Sequence, residues 1–304
     1  MAIARLFEQA TGQTLSQDRF WRIGTTLTPF CKARCIESFD HLALALERGL
    51  DRGLSLDMID ALLNNETSFF RDAGVFTQLS EALLPRLAAA REREKRIRIW
   101  SAACSTGQEA YSLAMLFAEQ RERWAGWRID IVGSDISRSA IEQARDGLYT
   151  QFEVQRGLPI RQLIAWFDPV LDQGWRAKPQ LASYVTFQRH NLLGPPPAGG
   201  RFDLILCRNA LLYFSAERRH QMLEGLSLAI AQDGGLLLGA GETVQGSTRF
   251  VADSELPMVY RPAGARGLSH ARSGSEQAQS ASSSNDQALS VRHGRDHRLP
   301  VAQS

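Results

Sequence analysis

The chain has 304 residues, 44% apolar and 22% charged, with a formal net charge of +2 and a pI near 8.4. These values suit a globular protein and are too weakly basic to argue for nucleic acid or an anionic membrane as a partner. No run of about eighteen apolar residues exists, so no membrane insertion is expected, and the N-terminal MAIARLFEQATGQ is too polar for a signal peptide.

In chain order, residues 1 to about 92 read as helical. Segments 15–31, 38–49, 55–64 and 73–91 carry apolar residues at i, i+3, i+4 spacing, for example Phe76, Leu79, Leu83, Leu84 and Leu87. Between the last two lies Leu62-Leu63-Asn64-Asn65-Glu66-Thr67-Ser68-Phe69-Phe70-Arg71-Asp72. A loop carrying Phe-Phe has buried rings, and buried rings hold its polar groups still. From 97 the pattern changes to alternating strands and helices. Residues 97–100 predict a strand, 108–124 a helix, 127–133 a strand ending at Asp135, and a helix capped by Ser137 or Ser139 runs to about 145. Strands follow at 185–188 and 202–207. A helix at 216–231 is closed by Asp233-Gly234-Gly235, and the last strands are 236–238 and 257–261. This order predicts an α/β, doubly wound, mostly parallel sheet, preceded by an all-helical domain. Residues 150–184 break the alternation and read as a small inserted subdomain. The expected domains are 1–92, 93–262 with the insertion at about 150–185, and a disordered tail or linker at 263–304.

Cys31, Cys35, Cys104 and Cys207 form no CxxC pair. Cys31 and Cys35 at i,i+4 spacing would share a helix face, but buried free thiols are the expectation, with no metal site. Unpaired cysteines point to the cytoplasm.

The chemistry gathers where strands give way to loops. Trp100-Ser101-Ala102-Ala103-Cys104-Ser105-Thr106-Gly107-Gln108-Glu109 joins a strand to a helix at the carboxyl edge of the sheet, where ligands bind. Gly107 is expected to let the backbone approach a ligand. The lack of GxGxxG argues against a pyrophosphate and for a phosphate-free nucleoside. Glu109 is either a ligand contact or a charge favoured by the helix dipole. Asp135 is either a ribose acceptor or a helix cap. Asn191 and Asn209 end two further strands and can both donate and accept. His190 reads as structural, Arg208 as the partner of a core carboxylate, and Tyr213 as ambiguous between packing and chemistry.

Together, Asn65 to Arg71, the 100–112 segment, Ser134-Asp135-Ile136, Ala144 to Tyr149, Asn191-Leu192-Leu193 and 202–214 resemble the CheR family of protein-glutamate O-methyltransferases, which modify chemotaxis receptors. The resemblance covers roughly residues 10–262. It implies a class I, Rossmann-like methyltransferase fold and S-adenosylmethionine as cofactor, with S-adenosylhomocysteine as product. It also implies that Asn65, Thr67 and Arg71 close over the cofactor, with Phe69 and Phe70 anchoring that strap. By the same resemblance Glu109 takes the amino acid portion and Asp135 the ribose, Asn191-Leu192 and Asn209-Ala210 line the adenine and methionine ends, and Arg71 and Tyr213 face the transferred methyl group. The implied partners are the cytoplasmic domains of chemoreceptors, met by a monomer, with no nucleic acid.

The chain departs from the family in places. Ala103 stands where glycine is frequent, and Gln108-Glu109-Ala110 stands for Glu-Glu-Pro. Residues 23–35 offer only Lys32 and Arg34 to a receptor, after Arg19 and Arg22. The insertion is short, with Gly174 as its one glycine over 167–185, so tight binding of a receptor-tail pentapeptide is not expected. Two other readings are weighed. One is a methyltransferase acting on nucleic acid or a small molecule, but base-modifying enzymes tend to carry an Asn/Asp-Pro-Pro-aromatic loop where Arg208-Asn209-Ala210-Leu211 stands. Against a non-catalytic cofactor-binding module stand the intact Arg71, Asp135 and Asn209, although Ala103 leaves some room for it.

Overall fold

The computed structural model describes residues 2–15, 20–48 and 51–264. The expected tail lies almost wholly outside them, as does part of the 15–31 helix. The chain begins with a helix not singled out from sequence, α1 (Ala2–Thr11), followed by α2 (Phe20–Ala33), α3 (Phe39–Glu47) and α4 (Arg52–Leu62). Ser38 caps α3 through His41 N–H, and Asp51 caps α4 through the N–H groups of Gly53 and Leu54, which sets where each helix starts. Their apolar faces close on one core containing Phe7, Leu27, Leu42, Met58 and Leu62. Helix α2 ends at Ala33, and Cys35 lies exposed beyond it with φ 55°, so it shares no helix face with buried Cys31.

The next helical stretch, α5 (Ala73–Gln78) and α6 (Leu84–Ala90), is interrupted by a π-helical turn at Leu79–Leu83. Pro85 follows that turn. It lacks an N–H and crowds the preceding turn, which is the usual cause of such a break. Val75, Phe76, Leu79, Leu83, Leu84 and Leu87 are buried against the sheet, although their sequence grouping is with the helical unit ending at 92.

The main sheet has the order β6-β2-β1-β7-β8-β10-β9. Strands β1 (Arg96–Ala102), β2 (Arg128–Asp135), β6 (Val185–Arg189), β7 (Phe202–Cys207) and β8 (Ile230–Leu238) run parallel. Strands β10 (Val259–Pro262) and β9 (Phe250–Ala252) add antiparallel edges. The expected doubly wound sheet is therefore present. Its central strands β1 and β7 are buried on both faces, as central parallel strands must be: Ile97, Ile99, Leu204 and Leu206 join one core, and Trp100, Ala102, Ile205 and Cys207 the other. Helices α7 (Gln108–Glu119) and α12 (Ala216–Ala229) cover these faces, and α8 (Arg138–Asp146) packs against β2 and β6.

Two boundaries differ from the sequence expectation. Helix α7 stops at Glu119 rather than 124, and Trp124 turns back to stack edgewise on Phe117 at 4.9 Å. Its apolar phase reflected core packing, not helix. Strand β8 already starts at Ile230, so Asp233-Gly234-Gly235 lies inside it, at a register shift against β7. There Asp233 meets Arg91, which also binds Asp203.

The insertion contains α9 (Gln151–Gln155), α10 (Ile160–Trp166), α11 (Pro179–Ala182) and a three-stranded antiparallel sheet ordered β3-β5-β4, from β3 (Leu148–Tyr149), β4 (Phe167–Val170) and β5 (Gly174–Ala177). Phe69 is fully buried here, edge-on to Tyr149 at 5.0 Å and to Phe167 at 5.5 Å. Phe70 is edge-on to Phe76 at 5.2 Å. The two rings thus pin the 64–72 strap on both sides, as its sequence suggests. Burying one such ring is worth about 1.5–3 kcal/mol.

Candidate active site

Strand β1 neighbours both β2 and β7, so the strand order reverses beside it. A crevice opens at the carboxyl ends of strands at such a point. The cavity there has about 990 Å³ of empty space, including its open mouth. It is lined by Asn65, Thr67 and Arg71 from the strap, Glu109 from α7, Asp135 from β2, Asn191 and Leu192 after β6, and Asn209, Ala210 and Tyr213 after β7, all of them site residues proposed from sequence.

The β1–α7 turn is tightly wound. Ala103, Ser105 and Gly107 all have positive φ, at 59°, 51° and 94°. A left-handed alanine costs about 1 kcal/mol or more, which accounts for glycine being the easier residue at 103. Gly107 does not line the cavity. A Cβ there would sit 2.9 Å from Ala144 Cβ and 3.1 Å from Phe187 Cζ. Its role is to let α7 pack against α8 and β6, not to admit a ligand.

Asp135 is buried, its oxygens accepting from Ser105 N–H at 2.8 Å and Ser137 N–H at 2.9 Å. Burial pushes its carboxyl above the ordinary range, against those two donors. The side-chain cap of α8 is Ser137, through Ala140 N–H, while Asp135 braces the β1 turn at Ser105 and lines the cavity. Glu109 accepts from Ser101 Oγ at 2.8 Å and from Arg208 Nη1 at 3.0 Å. This fulfils the expectation that Arg208 pairs with a core carboxylate.

The strap is stitched to the sheet. Asn65 O accepts from Ser105 Oγ at 2.7 Å, and Asn65 Nδ2 donates to Ser137 Oγ at 3.3 Å. Arg71 Nη1 donates to Glu66 O at 3.3 Å. Asn64 Nδ2 donates to the Tyr213 hydroxyl, joining the strap to the β7 loop. Asn191 accepts from Leu193 N–H at 3.0 Å. Asn209 has φ 57°, and its N–H donates to Glu242 Oε2 at 2.7 Å, while Glu242 Oε1 accepts from Leu211 N–H at 2.8 Å. His190, read from sequence as structural, bonds Pro195 O through Nε2 at 2.8 Å, stacks edgewise on Trp100 and also lines the cavity. Burial pushes the Cys104 thiol well above its usual range, with Asp135 and Glu109 adding to the effect, which disfavours the reactive thiolate.

Several contributors were missed in the sequence. Glu242 follows β8 at the same sheet edge, so the strand-end rule that found Asp135 and Asn209 could have found it. Thr11 and Gln13 also line the cavity, with Thr14 N–H bonded to Tyr213 O at 2.8 Å and Gln13 bridged to Phe214. Nothing in the sequence near residue 12 signals that contact.

Comparison with known proteins agrees with this geometry. Residues 65–259 match the S-adenosylmethionine-binding domain of CheR methyltransferases. A chemotaxis protein methyltransferase of Vibrio parahaemolyticus is 34% identical over 247 residues, 81% of this chain and 89% of that one. Chemotaxis protein methyltransferase 1 of Vibrio cholerae is 33% identical over 246 residues, covering 80% and 88%. Its Pseudomonas aeruginosa counterpart is 35% identical over 242 residues, covering 78% and 87%. The matched domain begins at the strap itself, and its cofactor is S-adenosylmethionine. With an intact strap, a carboxylate at the end of β2 and the Arg208–Glu109 pair behind the cavity, the chain belongs to the CheR methyltransferase family.

Proposed function

We propose that the protein methylates glutamate side chains on the cytoplasmic domains of chemoreceptors, giving glutamate methyl ester and S-adenosylhomocysteine and so serving adaptation in chemosensory signalling. The observation that supports this most is the convergence of Arg71 and Tyr213 on one cavity that also holds two carboxylates, Glu109 and Asp135, and carries no glycine-rich phosphate loop. That donor set fits a zwitterionic, phosphate-free nucleoside. When bound, S-adenosylmethionine supplies an electrophilic methyl group on a sulfonium.

A glutamate with a reference pKa of about 4.3 is already ionised at neutral pH, so the site needs no general base. Its carboxylate oxygen forms the new C–O bond as the C–S bond breaks, the electron pair passes to sulfur, and no proton moves. Arg71 orients that carboxylate with its planar fork. The Tyr213 hydroxyl, fixed by Asn64, borders the same space. Asp135 receives the ribose hydroxyls and Glu109 the ammonium group. Asn191-Leu192 and Asn209-Ala210 form the adenine and methionine walls, with Asn65 and Thr67 closing above. Orientation and exclusion of water supply the rate.

The same proposal assigns residues up to the strap to receptor contact, since α1–α4 own a separate core, and the sheet domain to chemistry. The protein would work as a cytoplasmic monomer. Among the described residues, no helix is long and apolar enough to cross a membrane. The deciding experiment incubates the full chain with methyl-labelled S-adenosylmethionine and receptor cytoplasmic fragments. Label released as methanol by base is expected. Tight cofactor binding without base-labile label would sink the reading.

Receptor capture through a tail pentapeptide is not part of the proposal. The β4–β5 turn between Val170 and Gly174 is short, leaving little to fold over a peptide added at the β4 edge. Calorimetry with the peptide is expected to show no submicromolar binding, and a submicromolar dissociation constant would contradict this.

A further inference from the structure

We infer that Arg208 is a positioning residue for Arg71, acting through Asp72. The inference rests on the proposed role of Arg71 in holding the substrate carboxylate. The Arg208 side chain is 2% exposed, at the end of the central strand β7. Its Nη1 donates to Glu109 at 3.0 Å, and its Nη2 donates both to Arg71 O at 2.9 Å and to Asp72 Oδ2 at 2.6 Å. One guanidinium therefore joins the cofactor-side carboxylate to the strap's reactive end. A lysine could not do this, because only a planar fork presents donors in both directions.

The strap backbone shows why such a clamp is needed. Phe70 and Asp72, the residues on either side of Arg71, have φ of 47° and 60°. Left-handed conformations are strained for residues with a Cβ, less so for aspartate, and they persist where surrounding contacts over-determine them. Phe70 is held by its N–H to Ser112 Oγ at 2.9 Å. Asp72 occupies the N-cap position of α5 yet makes no side-chain cap bond. Its carboxylate, the usual capping group, is turned to Arg208 instead. Capping stability at α5 is given up for a tie to the sheet. Arg71 is thus fixed at both neighbours, and its side chain projects from a backbone that cannot relax independently of Arg208. The other arm of Arg208 ends on Glu109, so the strap and the floor of the cavity are set by one buried cation.

The test uses Asp72→Asn in the full chain. Asparagine has the same shape and tolerates a left-handed φ well, and Asp72 is 47% exposed, so folding is preserved while the ion pair is lost. Arg208→Lys is the second variant, retaining charge but not the fork. Three quantities are measured with S-adenosylmethionine: its dissociation constant, the turnover of receptor fragments, and amide hydrogen exchange of residues 65–72 with the cofactor saturating. In Asp72→Asn we expect kcat to fall by about tenfold, as for a modest misplacement of a reacting group, with the cofactor dissociation constant changed by less than about threefold. Exchange should rise in the strap and not elsewhere. Arg208→Lys should show the same strap exchange and, through Glu109, also weaken the cofactor. Combining the two substitutions should add nothing further to the loss in kcat. Unchanged strap exchange in Asp72→Asn would overturn the inference, whatever the activity. So would losses in kcat that multiply in the double variant. If the unmodified chain esterifies no receptor glutamate, the substrate reading falls instead, and the exchange data still decide whether Arg208 holds the strap.

Discussion

Arg71→Ala is expected to lower methyl transfer to receptor fragments by about a hundredfold while weakening cofactor binding only a few-fold. A group that orients one reactant supplies effective concentration, and losing its grip costs about that much. Arg71 lines the cavity, and its side chain donates to Glu66 O on the exposed strap at 3.3 Å. Removing the guanidinium therefore leaves no buried partner unsatisfied, and the fold should survive. Because the interaction is made with the carboxylate as it reacts, kcat and kcat/KM should fall together. Steady-state kinetics beside calorimetry for the cofactor separate the two effects. Equal losses in transfer and in cofactor affinity would contradict the role, and would make Arg71 a cofactor ligand only.

Asp135→Ala has the opposite signature. Two hydroxyls bound to one charged acceptor contribute roughly 1.5–3 kcal/mol each, so the cofactor dissociation constant should rise by about a hundredfold or more, with kcat at saturating cofactor far less affected. The substitution also strips an acceptor from the N–H groups of Ser105 and Ser137, so a modest fall in melting temperature is expected alongside. A pH titration adds a second check. Burial raises the Asp135 carboxyl above its ordinary value, and ribose hydroxyls favour its ionised form. Affinity is therefore full above the raised pKa and lost as pH falls through it, and the variant should lack this acid limb. An unchanged dissociation constant would remove Asp135 from the ribose site.

Much of this site was legible because parallel sheets collect their strand ends at one edge. Once β1, β2, β6 and β7 were read from short apolar runs, Glu109, Asp135, Asn191 and Asn209 had to fall near one another. The strap was legible for a different reason: Phe69-Phe70 in a polar loop demands burial. What failed did so where the sequence signal reports burial rather than geometry. Trp124 carried the helix phase beyond Glu119 because it packs on Phe117. Gly107 looked like a ligand-side glycine, but its missing Cβ makes room for Ala144 and Phe187. Gly234-Gly235 resembled a turn, yet both lie inside β8, where the close approach of the Asp203 backbone to Gly234 demands a small residue.

By itself, the sequence determined the alternation of strands and helices, the strap, the strand-end polar residues and, through their combination, the family. These follow from local periodicity and from residue types, which a linear reading contains. Only the tertiary structure decided how the strap is held. The Arg208 bridge spans residues 72, 109 and 208, Glu242 braces Asn209, Asn64 meets Tyr213, and Gln13 pairs with Phe214. Each is a directional contact between groups far apart in the chain. Its existence depends on distances of about 3 Å between hydrogen-bonding atoms, and no periodicity along the chain encodes those distances.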